Sequence, residues 1–396
     1  MSKYLRNLII LLILTVTGCK TAQQTTKTPD IQPTKVDSTF TRIDTLGVKA
    51  DTLIILKQDS VEIGIHRIFK DTVRIIGVGD IMMGTNFPDE SYLPSNRGKD
   101  LLREVTPILQ DADITFGNLE GVILNEGGDE KKCKDPKLCY IFRSPEYLAQ
   151  NLVDAGFDVM STANNHAGDF GDPGRKNTQR VLDSLGLYHA GQVNTPYVTF
   201  MRDGMRYGFA AFSPNSNTMS INDHEAAAAI VQHLDSISDI VIVSFHGGAE
   251  GSKYQTVPRQ EEMFYGENRG DVYAFSHAMI DAGADVIFGH GPHVTRAIDI
   301  YKNRFIAYSL GNFCTYARFN LRDENGLAPI VKVYTGPDGA FLFGEIIPTI
   351  QTGAGGPSID EKGRVINTIR SLTEKDFPEV QVSIDDSGRI NYLHGE

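Results

Sequence analysis

From residue 73 onward the chain repeats one pattern: a short apolar run, a polar cluster, then a stretch of helical periodicity. The runs are Val73–Gly79, Ile114–Gly117, Phe157–Thr162, Tyr207–Phe212, Ile240–Phe245, Val286–Gly289 and Phe305–Leu310. They are too short for helices and carry few charges, so they read as buried strands. The stretches between them predict helices near 100–110, 145–155, 173–185, 225–237 and 268–282. Ser144-Pro145 and Asp172-Pro173 each offer a cap residue before a first-turn proline, and Gly283 offers a helix stop. Strands alternating with helices require crossover units, which predict an α/β fold whose largely parallel sheet is covered on both faces.

The polar clusters all follow strands. Val73–Gly79 ends in Asp80, and Ile114–Gly117 ends in Asn118-Leu119-Glu120. Phe157–Thr162 leads to Asn164-Asn165-His166, with Asp169 beyond. Ile240–Phe245 ends in His246, with Glu250 next, Val286–Gly289 in His290-Gly291-Pro292-His293, and Phe305–Leu310 in Gly311-Asn312. Open α/β sheets bind ligands outside the carboxyl ends of their strands. Taken singly, Asp80 reads as a turn residue, Asn164-Asn165 as a loop, His246 as a core imidazole and Glu120 as a solvated acid. Together they form a donor set of carboxylates, amides and imidazoles that suits one or two divalent ions, Mn²⁺, Zn²⁺ or Fe. Such ions acidify water, which makes hydroxide available at neutral pH. The candidate ligands are Asp80, Asn118, Glu120, Asn165, His246, His290 and His293. His166, beside Asn165, is positioned to protonate a leaving group, with Asp169 as its neighbour. Glu250, Arg296 and Asn312 are candidate substrate contacts. Lys253, Arg259 and Arg318 lie in loops after the late strands, as do Tyr254 and Tyr316, and read either as an anion pocket or as solvated surface.

At these residues the chain resembles the CapA family of capsule and poly-γ-glutamate synthesis proteins, itself similar to calcineurin-like metallophosphoesterases. The matching stretches are Gly79-Asp80-Ile81-Met82, Asn118-Leu119-Glu120-Gly121, Phe142-Arg143-Ser144-Pro145, Ala163-Asn164-Asn165-His166, Gly289-His290-Gly291-Pro292-His293-Val294 and Tyr308-Ser309-Leu310-Gly311-Asn312-Phe313. The resemblance implies a four-layer α/β/β/α sandwich over residues 73–319 and a role in capsule synthesis. It also implies an anionic capsule polymer and the synthesis machinery as partners. Against the metallophosphoesterase pattern, Asp80 matches the first-motif Asp and Asn165-His166 the Asn-His pair. Asn118 and Glu120 fall in the motif of the bridging carboxylate. His246 matches the isolated His, and His290 and His293 come close to the final pair, with one extra residue between them. Met82 stands where that pattern has a ligand His, and Gly247 where the family usually has Trp. Two functions fit this: a hydrolase of a phosphoester or polymer amide bond, and a non-catalytic polymer-binding or assembly component.

The first 19 residues read as a secretory signal: Lys3 and Arg6, an apolar run from Leu8 to Val16, then small residues. Val16-Thr17-Gly18-Cys19 resembles a bacterial lipobox, in which Cys19 is lipidated. The chain is thus expected to be exported and anchored to an envelope membrane, and Lys20 after the cysteine favours the outer one. Residues 20–72 read as a tether: Lys20 to Thr41 has no apolar period, and the weakly apolar runs Thr52–Leu56 and Val61–Ile65 read either as a first hairpin or as the linker's end. Residues 320–396 read as a C-terminal extension with a hairpin around Pro337-Asp338-Gly339. Cys133 and Cys139 are close enough in sequence for a local disulfide, and Cys314 reads as a buried thiol. A net charge of −12 argues against nucleic acid as a partner.

Overall fold

The structure, a computed structural model, describes residues 52–53, 66–67, 70–133 and 139–392. The expected signal segment, Cys19 and most of the expected tether lie outside the described residues. Thr52–Leu53 pairs antiparallel with His66–Arg67.

Four parallel strands open a first sheet: β1 (Val73–Met82), β2 (Ile114–Leu119), β3 (Val159–Ser161) and β4 (Tyr188–Ala190). The chain then builds a second sheet from β5 (Tyr197–Arg202), β6 (Met205–Phe212), β7 (Ile240–His246), β8 (Val286–His290), β9 (Ile298–Tyr301) and β10 (Arg304–Ala307). Its spatial order is β9-β10-β8-β7-β6-β5, with antiparallel strands only at the two edges. The chain returns to the first sheet with β11 (Asn312–Thr315), β12 (Leu327–Thr335), β13 (Phe341–Gln351), β14 (Pro357–Ile359), β15 (Val382–Ile384) and β16 (Arg389–Tyr392). The first sheet runs β15-β16-β13-β12-β1-β2-β3-β4, with β11 beside the end of β1 and β14 on β13. The hairpin β12–β13 therefore joins the sheet directly at β1.

The period-2 geometry of strands divides the core into layers. Ile75 and Phe116 of the first sheet meet Phe209, Ile242 and Phe288 of the second in one inter-sheet core. On the outer face of the first sheet, Ile76 and Val78 meet Leu109 of α1 (Thr106–Leu109), Leu152 of α2 (Gln150–Ala155) and Leu182 of α3 (Gly171–Ser184). On the outer face of the second, Val241 and Val243 meet Val231 of α4 (His224–Ile237) and Phe275 of α5 (Val272–Asp281). The result is a four-layer α/β/β/α sandwich. A last helix, α6 (Arg364–Asp376), adds Val365, Ile366 and Ile369 to the inter-sheet core. The sheets approach closely at Gly77, where an added Cβ would lie 2.4 Å from the Phe288 ring.

Four sequence expectations change. The strands separate into two sheets, as the family resemblance implies, rather than the single sheet that strand–helix alternation alone suggests. The helix expected over 100–110 shrinks to α1, because Pro107 inside a longer helix would lose a hydrogen bond and clash with the preceding turn. Phe305–Leu310 ends as a strand at Ala307, because the chain crosses there from the second sheet to the first, turning at Gly311 (φ 65°). Asp172 also sits inside α3, one residue past its start, and does not cap it.

Phe116 is fully buried, stacked on Phe288 (centroids 5.4 Å apart) and tilted against Phe209 at 5.5 Å. Phe116→Ala is expected to cost about 3–5 kcal/mol in equilibrium urea unfolding. A cost under about 1 kcal/mol would mean that the two sheets do not share this core.

Candidate metal centre

The carboxyl ends of both sheets meet at one place. Strand register sets Asp80 beside Asn118 and Asn312 in the first sheet, and His246 beside His290 in the second. The loop after β3 adds Asn164, Asn165 and His166, and the loop after β8 adds His293. His293 holds a left-handed backbone, with φ 57°. For a residue with a Cβ this conformation is uncommon and clusters at functional sites.

Asp80, Glu120, His246 and His290 are fully or almost fully buried. Ligand atoms of Asp80, Glu120 and His246 lie within 4.8 Å of one another. His293 Nδ1 is 2.9 Å from Asp80 Oδ2, and its Nε2 is 3.5 Å from Glu120 Oε1. His290 Nδ1 lies 3.2 Å from Asp80 Oδ1, out of hydrogen-bond alignment. Asn118 Nδ2 donates to Asp80 Oδ1 at 2.9 Å, and Asn164 Nδ2 donates to Asn118 Oδ1 at 3.2 Å.

Hydrogen bonding leaves much of this cluster unsatisfied. Both oxygens of Glu120, both ring nitrogens of His246 and of His290, and Asn165 Oδ1 are buried without a hydrogen-bond partner. An orphaned buried polar group costs about 1–3 kcal/mol, and an uncompensated charge costs more. So many donors aimed at one point are the arrangement that a divalent cation satisfies. Asp80, Glu120, His246, His290 and His293 fit that role, and Asn165 offers a further oxygen. Asn118 is turned to a different task, since its amide donates to Asp80.

The electrostatics agree. Burial pushes the Asp80 carboxyl up, but His290 and His293 outweigh it and hold Asp80 well below the usual range. Burial and the Asp80 charge push Glu120 well up. Burial drives His246 well below its ordinary value, so it stays neutral and ready to ligate. Burial opposes protonation of His293, but Glu120 and Asp80 overcome it and raise His293 to about 10.

His166 stands beside this cluster, with Nε2 3.8 Å from Glu120 Oε1. Its Nδ1 is 2.7 Å from Asp169 Oδ2, and burial, outweighing Asp169, lowers its pKa. The buried Asp169 also accepts from the Phe142 N–H at 2.7 Å and pairs with Lys131 Nζ at 2.5 Å. Lys131 and Phe142 flank the disulfide between Cys133 and Cys139, whose Cα atoms are 5.8 Å apart. Cys314 is a buried free thiol.

A cleft of about 340 Å³ opens onto His166, His293, Asn165 and Asn312. Glu250 and Arg318 line it, with Lys131, Arg269 and the aromatic residues Tyr140, Phe264 and Phe319, which the sequence did not single out. Arg296 is not brought into the cleft. It is buried in a bidentate pair with Glu262 (2.7 and 2.8 Å), and its Nε donates to the Tyr254 carbonyl. Arg259 is also elsewhere, paired with Glu379 and stacked on Tyr273 and Phe377.

The His293 pKa yields a signed expectation. A folded-state value of about 10 lies above the ordinary 6.5, so the His293 ion pairs stabilise the fold fully below that ordinary value and fade as pH rises toward 10. A cation that takes over Asp80 and Glu120 displaces the proton. Mn²⁺ binding at pH 7 is therefore expected to release about one proton or more, and to tighten as pH rises. Calorimetric titration in buffers of different ionisation enthalpy measures this; binding with no proton release would contradict it.

The bacterial capsule synthesis protein PGA_cap family matches residues 74–317, well over half of the chain. The capsule biosynthesis protein CapA of Bacillus anthracis is 29% identical over 320 residues, which span 75% of this chain and 73% of that protein. The PGA biosynthesis protein CapA of Bacillus subtilis is 29% identical over 252 residues, 60% of this chain and 61% of that one, so less than two thirds of its length is matched. Among solved structures, the calcineurin-like phosphoesterase YfkN of Bacillus subtilis superposes with a TM-score of 0.34 at 11% identity, over 78% of this chain and 95% of that one. The motifs that meet at the strand ends are thus those of a recognised group, and the chain belongs to the bacterial capsule synthesis protein PGA_cap family.

Proposed function

We propose that this chain is a metal-dependent hydrolase of the cell envelope, acting on a phosphoester or an amide bond of a capsule polymer or its precursor. One observation carries the reading: buried, unsatisfied carboxylate and imidazole atoms converge beside an open cleft. A divalent ion held by Asp80, Glu120, His246, His290 and His293 would supply Lewis acidity and acidify water. His166, neutral and with its Nδ1 turned to Asp169, presents a free Nε2 towards the centre; there it would take the proton of the attacking water and then, as the imidazolium, pass it to the departing group. Asn312 bridges the loops around the centre, its amide donating to the carbonyls of His293 and Asn325. The family membership and the capsule names of the relatives support the polymer pathway.

The test compares the parent with His290→Ala/His293→Ala and His166→Ala, each checked for fold by circular dichroism. The parent is expected to hold one or two equivalents of metal and to turn over phosphoester or γ-glutamyl substrates. The double variant is expected to lose both. His166→Ala is expected to keep metal but lose about 10²–10⁴-fold in kcat. A parent that holds no metal after reconstitution with Mn²⁺ and Zn²⁺ sinks the hydrolase and leaves a polymer-binding or assembly role.

We also propose export and lipid anchoring at Cys19, on the strength of Val16-Thr17-Gly18-Cys19 after a short apolar run. Among the described residues no helix is long and apolar enough to cross a membrane. Cys19→Ser is expected to move the chain from the membrane to the soluble fraction and abolish palmitate labelling. Unchanged fractionation and labelling would rule out this anchor.

A further inference from the structure

Besides His293, the cleft carries three cationic side chains, Lys131, Arg269 and Arg318, and two of these are already neutralised. Lys131 faces Asp169 at 2.5 Å. Arg269 pairs with Glu250 at 3.1 Å and with Glu267 at 3.2 Å, so the Glu250 carboxylate is also engaged. Among the described residues no carboxylate forms an ion pair with Arg318. Its guanidinium lies instead against two rings, 4.7 Å from the centroid of Tyr92 and 5.5 Å from that of Tyr140. Ring faces orient a guanidinium and leave its N–H edge and its charge available to an oxyanion.

The backbone beneath Arg318 is unusual in the same place. The Arg318 N–H donates to the Tyr316 carbonyl at 2.8 Å, across Ala317 at φ 65°. This is a γ-turn of the rare, strained hand. Such a conformation on a non-glycine residue persists only where its surroundings impose it. Here the Ala317 N–H is held by the Ala354 carbonyl at 2.6 Å. The next residue, Phe319, stacks on Phe142 at 5.2 Å and sets its edge against His293 at 5.7 Å. The turn thus places on the cleft wall a positive charge held in no ion pair, with the Asp89 carboxylate near enough to feel it, one residue from a side chain that touches the candidate centre.

We propose that Arg318 is the receptor for a second oxyanion of the substrate, a carboxylate or phosphate set apart from the bond that meets the centre. Tyr92 and Tyr140 hold the guanidinium ready, and Arg318 selects substrates that carry this remote charge. A repeating anionic chain meets that requirement, and a neutral one does not. The assignment deepens the hydrolase reading and rests on the same cleft, but anion binding at Arg318 does not require turnover.

The test measures binding of glutarate and of inorganic phosphate, by calorimetry, to the full chain and to Arg318→Gln and Arg318→Lys at matched metal loading. The parent is expected to bind at least one of the two anions. Arg318→Gln is expected to weaken that anion by about tenfold or more, because a charge-assisted pair is lost. Arg318→Lys is expected to recover part of the affinity, since lysine keeps the charge but not the fork. Tighter binding of glutarate by the parent assigns a carboxylate, and tighter binding of phosphate assigns a phosphate. Metal content equal to that of the parent in Arg318→Gln shows that the centre is intact. If the parent binds neither anion, or if Arg318→Gln binds as tightly as the parent, the assignment is overturned. A parent without metal that still loses anion binding in Arg318→Gln would sink the hydrolase and leave the receptor standing.

Discussion

The contact between the Asp80 carboxylate of the first sheet and the His290–His293 segment of the second is the constraint on which the site depends. It joins β1 of the first sheet to the end of β8 in the second, more than 200 residues apart in sequence. Burying a carboxylate at such a junction is unfavourable unless its partners are exact in place. The inter-sheet packing of Phe116, Phe209 and Phe288 supplies that precision, because close-packed aromatic rings fix the spacing of the layers. Gly77 lets the layers approach where a larger residue would hold them apart. The core and the centre are therefore coupled parts of one arrangement.

Around the centre, a second set of charges acts as a frame. The Arg296–Glu262 pair is buried and bidentate, and Glu262 also accepts from the Ala249 N–H at 3.0 Å. This ties the loop after His246 to the loop after His293. Lys131 and Asp169 do the same for the disulfide-bearing segment and the His166 loop. Removing one partner of such a pair leaves the other charge buried and uncompensated, so these contacts specify the loop positions strictly.

The legible parts of the site were those that follow strand ends. Asp80, Glu120, His246, His290 and His293 each stand at or just after a strong apolar run, and strand polarity sends them to one edge. Arg296 misled because nothing near it in sequence reveals Glu262, its partner 34 positions upstream. Lys131 and Arg269 passed unnoticed for the same reason, since only the fold brings cleft residues together. Strand β5 was missed because it is an edge strand with only Phe200 fully buried, which erases the alternation that reveals a strand. Asn118 was read as a ligand because of its neighbours, whereas its amide is directed at Asp80.

What the sequence determined by itself was local and periodic: the alternation of apolar runs and helices, the chemistry collected at the strand ends, and the motifs of the family. These follow from side-chain periods of 2 and 3.6, which need no distant contact to be read. Side-chain period alone does not divide the strands into two sheets, which only the motifs of the family implied; tertiary structure decided how the carboxyl ends of the two sheets meet and which charges are neutralised. Arg296 and Arg318 are the same residue type, in loops of the same late region, yet one is locked in the interior and the other faces the cleft. That difference lies in the position of one carboxylate, and only folding brings the carboxylate there.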